Sequence, residues 1–157
     1  MTRKPTSSGR WIVAVLLFAV VATVAAVAFL SSRLPQGPVE PVWDQQACAH
    51  CRMHVGEPRF AAQLQTAQGD VWFYDDPGCL AEHLDAARGS GRALDVHAIF
   101  FRHLHEPRWV GEANARFVTV SPTPMGFGFG VVDAADAAAI DFAGFQQRVA
   151  ARDGGAR

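Results

Sequence analysis

The residues most able to do chemistry lie in one short run, Cys48-Ala49-His50-Cys51-Arg52-Met53-His54. It holds two thiols, a thioether and two imidazoles. A third cysteine, Cys79, and a methionine, Met125, follow at a distance. Three chemistries suit a CxxC of this kind. The first is a disulfide, which forms readily outside the cytoplasm and leaves one of three cysteines over; pairing with Cys79 is equally open. The second is a thiol–disulfide oxidoreductase, in which CxxC opens a helix after a strand. Here a proline-rich stretch precedes the motif, and Pro58 stops any long helix after it. The third is a metal site. Structural zinc needs four Cys/His ligands, and His50, His54 or Cys79 can complete the set. If the segment is extended, alternation puts Cys51 and Met53 on one face. A thiolate beside a thioether is a soft pair, and softness selects Cu(I). The candidate metal residues in this run are Cys51 and Met53, with Cys48 and His54 beside them. Met125 stands between Pro124 and Gly126 in a loop rather than on a helix stripe.

The elements that must position these residues read as follows. Arg59 to Ala67 is a strand, Gln68-Gly69-Asp70 a turn, and Val71 to Tyr74 a strongly β-prone run. Asp75-Asp76-Pro77 then starts a helix, with acidic capping and proline in the first turn, and Gly89 ends it. Capping also accounts for the paired aspartates more simply than acid–base chemistry does. Val96 to Leu104 is a third strand. The order then repeats: strand Arg116 to Val120, loop Ser121 to Gly126, strand Phe127 to Val132, and a helix capped by Asp133 to Asp136 and running to about Ala151. This is a weak internal duplication of ββα units, and it predicts an α+β domain over residues 43–152 with a short tail at 153–157.

Ahead of this domain, Trp11 to Leu30 contains one polar residue, Thr23, and no charge. As a helix it extends about 30 Å, the thickness of a bilayer's hydrocarbon core. Arg3, Lys4 and Arg10 precede it and only Arg33 follows closely. The positive-inside rule then predicts residues 1–10 in the cytoplasm, a single-pass helix, and the rest outside. Ala26-Val27-Ala28 is a passable signal-cleavage site, but the apolar run is longer than a signal core, so an uncleaved anchor is expected. Ser31 to Val42, with its three prolines, reads as a linker.

Composition narrows the function classes. The chain has 157 residues and a formal net charge of -1. Such a balance excludes an electrostatic nucleic-acid binder, which needs a basic excess. Phe127-Gly128-Phe129-Gly130 is no phosphate loop, because it lacks the Lys-Ser/Thr ending. Neither a Ser-His-Asp pattern nor HExxH is present. His103 and His105 alternate on one face and suit a solvated strand end or a ligand pair. His83 and His97 carry no pattern.

The order of C-x-M (Cys51, Met53), hairpin, helix, the strand Ala98 to Phe101, a loop with Trp109, a strand, and Pro124-Met125-Gly126 before an Ala-rich helix resembles the NosL family. These are periplasmic copper-binding accessory proteins of nitrous oxide reductase maturation. The resemblance covers most of residues 43–150. It implies Cu(I) bound by Cys51 and Met53, with Met125 as a further contributor. It also implies a periplasmic domain and a copper-accepting partner such as nitrous oxide reductase; with the apolar helix above, an inner-membrane protein is expected, and since a carrier needs no covalent substrate chemistry, no enzymatic activity. Family members are typically lipoproteins; here the first cysteine is Cys48, so a transmembrane helix stands in for the lipid. Arg52 replaces the usual small residue of C-x-M, and Cys48 is an addition.

Overall fold

The computed structural model describes residues 7–31, 34–133 and 139–154. They fall into two units, Met1–Leu34 and Pro35–Arg157.

The first unit is one helix, α1 (Ser7–Ser31). Its stretch Gly9–Phe29 is long and apolar enough to cross a membrane. Side chains such as Trp11, Leu17, Phe18 and Phe29 are all exposed. The one polar group of the run is internally satisfied: Thr23 Oγ1 donates to the Ala19 carbonyl at 2.8 Å. That bond removes the cost of carrying a bare hydroxyl into hydrocarbon.

The second unit is α+β. Strands β1 (Ala62–Thr66) and β2 (Val71–Tyr74) form a hairpin that leads into helix α2 (Pro77–Gly89). Strands β3 (Val96–Arg102) and β4 (Trp109–Gly111) follow, and β3 pairs antiparallel with β1, giving a sheet of order β2-β1-β3-β4. A second hairpin, β5 (Arg116–Thr119) with β6 (Phe129–Val132), precedes helix α3 (Phe142–Gly154). Each hairpin is thus followed by a helix. The first is closed by Gly69 at φ 93°, a left-handed position that suits glycine. The second sheet adjoins the first where Leu104 N–H meets the Val131 carbonyl at 2.7 Å.

The core fills the space between the sheets and the two helices. Phe117 stacks on Phe145 with centroids 4.1 Å apart, and Phe101 meets Phe117 edge-on at 5.1 Å. Leu64, Leu80, Ile99 and Val149 complete this layer. Such aromatic pairs add about 0.5–1.5 kcal/mol each beyond simple burial.

Four local differences from the sequence reading have clear causes. Pro58–Phe60 forms a 3-10 turn, which delays β1 to Ala62. Residues 109–111 are a strand on the edge of the first sheet, not a loop. The second helix starts late: Ile140 still pairs with Phe117, and Asp141 Oδ1 accepts the Gly144 N–H at 2.8 Å as the cap. Asp133 pairs with Arg108; Ala134 to Asp136 lie outside the described residues. Finally, the segment after Leu34 is fastened to the domain. Gln63 exchanges two hydrogen bonds with Val39, each 3.0 Å, and Gln65 Nε2 donates to the Gly37 carbonyl at 2.7 Å. These amides are fully buried, and the bonds offset part of their desolvation, with Gln65 Oε1 left buried and without a partner. Glu40 adds bonds to Arg102 and to Trp109 Nε1, both 2.8 Å.

One glycine contact holds the two halves in register. A Cβ at Gly78 would lie 2.0 Å from Phe127 Cγ, so the ring sits directly on the first turn of α2. Gly78→Ala should push that ring away and destabilise the fold by about 1–3 kcal/mol, the usual cost of overpacking. Urea unfolding of the full chain checks this, and Phe127→Ala in the same chain should recover most of the loss caused by the added methyl.

Candidate metal centre

The CxxC run is a tight loop, not an extended strand. Asp44 N–H bonds the Val55 carbonyl at 3.0 Å and Val55 N–H the Gln46 carbonyl at 2.9 Å, so the two ends of the loop run side by side. Between them Cys48 to Cys51 make one helical turn, closed by Arg52 N–H to the Cys48 carbonyl at 3.2 Å. Arg52 sits at φ 70°, the left-handed conformation that reverses a chain after a helical turn. Met53 then returns its carbonyl to the Cys48 N–H at 2.7 Å. A further bond, Ala49 N–H to the Phe73 carbonyl at 2.8 Å, pins the loop to the end of β2.

That pinning is what creates the site. Just past the end of β2 the chain continues into Asp75, then Asp76, the cap of α2. Cys79 is in the first turn of α2. The loop, the strand end and the helix start bring Cys48, Cys51, Asp75 and Cys79 together, with their ligand atoms all within 4.8 Å of one another. All three cysteines are free thiols. Cys48 and Cys79 are buried, while Cys51 is half-buried at the outer side. Asp75 Oδ1 accepts from Cys51 Sγ at 3.3 Å and from Cys79 Sγ at 3.5 Å.

The thiols divide one negative charge unequally. The Cys79 S–H, which has Cys48 as a second acceptor, pulls the Cys48 thiol down to about 6 against the effect of its burial. Backbone N–H groups of Asp75, Cys51 and His50 reinforce this. Burial pushes the Cys51 thiol up to about 12, with the neighbouring Cys48 and Asp75 adding to the rise. Cys79 is raised further, first by its hydrogen bond to Cys48 and then by burial. Tyr74, beneath the cluster, is raised by burial and by the two buried thiols. Of the three thiols, Cys48 is therefore the one favoured to ionise, while Cys51 and Cys79 are pushed toward the protonated form.

Three sulfurs and a carboxylate in this span can hold a metal ion. Metal–sulfur bonds of about 2.3 Å set tetrahedral ligands about 3.8 Å apart, so the shell has to contract by no more than about 1 Å. Proton loss from Cys51 and Cys79 completes the donor set, because the thiolate is the ligand form.

Of the residues singled out in the sequence, Cys48 and Cys51 are in the cluster. Met53 is 55% exposed on the same loop, and its position follows from the turn at Arg52 rather than from strand alternation. His54 is exposed and faces Ala47 across the loop. Met125 is fastened to the start of α2 through its backbone: its N–H donates to Asp76 Oδ2 at 3.2 Å, and its side chain packs partly buried against the core. His50 leaves the cluster and pairs with Glu82 at 2.9 Å. His103 Nδ1 accepts the His105 N–H and neither joins the thiols.

Cys79, which the sequence offers only as a zinc ligand or disulfide partner, and Asp75, which it offers only as a cap, are the further candidate ligands that the structure adds. Capping accounts for one aspartate only, because one N-terminus takes one cap. Asp76 fills that role, accepting the Gly78 N–H at 2.9 Å, which leaves Asp75 extended and turned to the sulfurs. The signal was in Asp75-Asp76-Pro77-Gly78-Cys79, where the spare carboxylate precedes a cysteine by one helical turn.

Asp76 ties the site together. It is fully buried, and burial raises its carboxyl above the usual range while the N–H groups of Gly78 and Met125 draw it back. Asp76→Ala removes the cap and strands the buried Gly78 N–H and the part-buried Met125 N–H, and should cost about 2–3 kcal/mol. Asp76→Asn keeps an acceptor and should lose less than half of that in the same urea titration.

Comparison with protein-family models, with curated proteins and with solved structures finds no match to this chain.

Proposed function

We propose that this protein is a membrane-tethered, extracytoplasmic Cu(I)-binding protein that passes copper to a partner. The observation that carries the reading is the group of three thiols and Asp75 within 4.8 Å, open to the surface at Cys51. Sulfur donors in that number favour a soft monovalent ion. Beside the open edge stands Met53, exposed and on the same loop. Its thioether is a soft outer donor for an ion arriving or leaving. Transfer then proceeds by ligand exchange: a soft ligand of the acceptor adds at the Cys51 edge, and the buried thiolates let go in turn. No covalent bond of a substrate is made or broken, so the protein acts as a carrier and not as an enzyme.

The apolar length of α1 and its basic N-terminal flank support a single pass through the inner membrane with the metal domain in the periplasm. The resemblance to the NosL family supports nitrous oxide reductase as the acceptor.

A second reading, zinc, is favoured by Asp75. A carboxylate oxygen completing three thiolates is a tetrahedral shell that suits Zn(II). Thiol–disulfide exchange is disfavoured by the charge distribution. That chemistry needs an exposed thiolate, whereas the thiolate here is the buried Cys48 and the outer Cys51 is held protonated.

The test is an anaerobic competition between the reduced full chain in detergent and a coloured Cu(I) chelator, repeated with Zn(II) present. One Cu(I) per chain is expected, with Zn(II) unable to displace it at equal concentration. Cys51→Ala binding Cu(I) as tightly as the parent would remove the copper reading, and displacement by equimolar Zn(II) would replace it with the zinc one.

A further inference from the structure

The loop that carries Cys48 and Cys51 has a backbone suited to a disulfide. One helical turn separates the two residues, closed by the Arg52 N–H on the Cys48 carbonyl at 3.2 Å. Residues three apart on such a turn have Cα atoms about 5 Å apart, from a rise of about 1.5 Å per residue on a cylinder of about 2.3 Å radius. A disulfide takes Cα separations of about 4.4–6.8 Å, so this pair can be bridged without moving the backbone. Bonds outside the turn hold that spacing: Cys48 N–H to the Met53 carbonyl at 2.7 Å and Ala49 N–H to the Phe73 carbonyl at 2.8 Å. Access singles out one member of the pair. Cys48 and Cys79 are buried and Cys51 is half-buried, so a reagent arriving from solvent meets Cys51 first. Cys79 belongs to another element, the first turn of α2, where its Sγ donates to Asp75 at 3.5 Å.

We propose that Cys48 and Cys51 form a reversible disulfide that closes the metal site, and that an external dithiol opens it by attacking Cys51, with Cys79 a free thiol throughout. Control of Cu(I) uptake rests on the copper reading above; the bond itself does not. The structure is the open form, with three free thiols. A disulfide sulfur has no thiolate charge to offer an ion, so the closed form keeps only Cys79 and Asp75 of the four donors. Outside the cytoplasm the closed form accumulates unless a reductant acts on it. Opening takes two exchanges. A thiolate of the dithiol attacks Cys51 Sγ, the Cys48–Cys51 bond breaks, and the electron pair leaves on Cys48 Sγ, at which the backbone N–H groups of His50, Cys51 and Asp75 are aimed. The second thiolate of the reductant then attacks its own sulfur in the mixed disulfide, and Cys51 departs. The dithiol becomes a disulfide and gives up two electrons and two protons. The electrons break the protein bond; one proton goes to Cys51 and the other to Cys48 or, with that sulfur ionised, to water. The chain is thus a substrate of thiol exchange and not its catalyst, because its outer sulfur is attacked and attacks no other protein.

The experiment uses the full chain in detergent. One portion is treated with excess oxidised glutathione and another with dithiothreitol, and the small thiols are removed by gel filtration. Each is alkylated in denaturant and digested with trypsin, which leaves Cys48 and Cys51 in one peptide, residues 34–52, and Cys79 in another, residues 60–88. The oxidised portion should carry a disulfide inside the first peptide, with Cys79 alkylated. Before digestion it should bind Cu(I) about 1,000-fold or more weakly than the reduced portion, since two of three sulfurs are lost. Dithiothreitol should restore full uptake. In a Cys51→Ser chain the same oxidant should leave Cys48 and Cys79 alkylated, because neither buried sulfur meets it. No disulfide in the parent, a disulfide joining the two peptides, or a closed form that binds Cu(I) as tightly as the open one overturns the proposal. A disulfide that forms and opens as expected, in a chain whose reduced form takes up no Cu(I), sinks the copper reading and leaves the reversible bond standing.

Discussion

Cys79→Ser should weaken Cu(I) binding by several hundredfold, while Met53→Leu should change the equilibrium affinity by less than about tenfold. The expectation follows from where the donors sit. Cys79 is buried within 4.8 Å of the other ligand atoms, on a helix turn fixed by the Asp76 cap. A four-ligand thiolate-rich site is worth about 10–16 kcal/mol, or roughly 3–4 kcal/mol per ligand, and that is a factor of several hundred in affinity. Met53 is more than half exposed on a loop and can leave the ion without disturbing the fold. Its replacement should instead slow transfer to an acceptor, read by stopped-flow with a chelator as the receiving ligand. A Cys51–Met53 site of the C-x-M kind makes the opposite forecast: Met53→Leu costs most and Cys79→Ser little. Cys79→Ala is the companion variant, since a buried serine hydroxyl has only Asp75 to bond, and far-ultraviolet circular dichroism of both variants confirms that they fold.

The contrast between these forecasts shows how far the sequence could be read. The first hairpin, α2 and the cysteines were legible because each carries a local signal: β-prone Val71 to Tyr74, Gly69 at the turn, Asp76-Pro77 at the helix start. The α+β class followed from that order. The donor set was only half legible, because it is made by a tertiary contact. Ala49 N–H to the Phe73 carbonyl swings the loop onto β2, and no local pattern announces a bond between residues 24 apart. The same holds for the glutamines of β1. Alternation marks Gln63 and Gln65 as surface residues, yet Gly37 and Val39 cover them and turn a proline-rich stretch into part of the domain. Strand alternation failed at Met53 for a different reason. A single left-handed residue, Arg52, resets the direction of every side chain after it, and nothing about arginine forecasts φ 70°. The start of α3 was misread because Asp133 and Asp141 are equally good caps in isolation. The choice is made by Ile140 pairing with Phe117, which holds Ile140 outside the helix just before Asp141.

Metal affinity should climb about 100-fold for each unit of pH near neutrality, with about two protons released per ion. Cys48, held down to about 6 by the Cys79 hydrogen bond, is already a thiolate at pH 7. Cys51, pushed up to about 12 chiefly by burial, and Cys79, raised further, are both protonated there. An ion that takes all three sulfurs must displace those two protons, and each displaced proton contributes a factor of about ten in apparent affinity per pH unit. The sign is fixed: raising pH removes the competitor, so binding tightens. Below about pH 6 Cys48 is protonated as well, and the dependence should steepen to about three protons per ion. Proton release measured with an indicator dye in weakly buffered, anaerobic solution reads the number directly. A site of Cys51 and Met53 alone releases about one proton, because the thioether carries none and Cys48 keeps its charge. Three ordinary thiols with no shared charge release about three at pH 7. Two is the signature of one buried thiolate braced by two thiols. A count near one leaves Cys79 outside the metal shell, however close it lies to the other sulfurs in the folded chain.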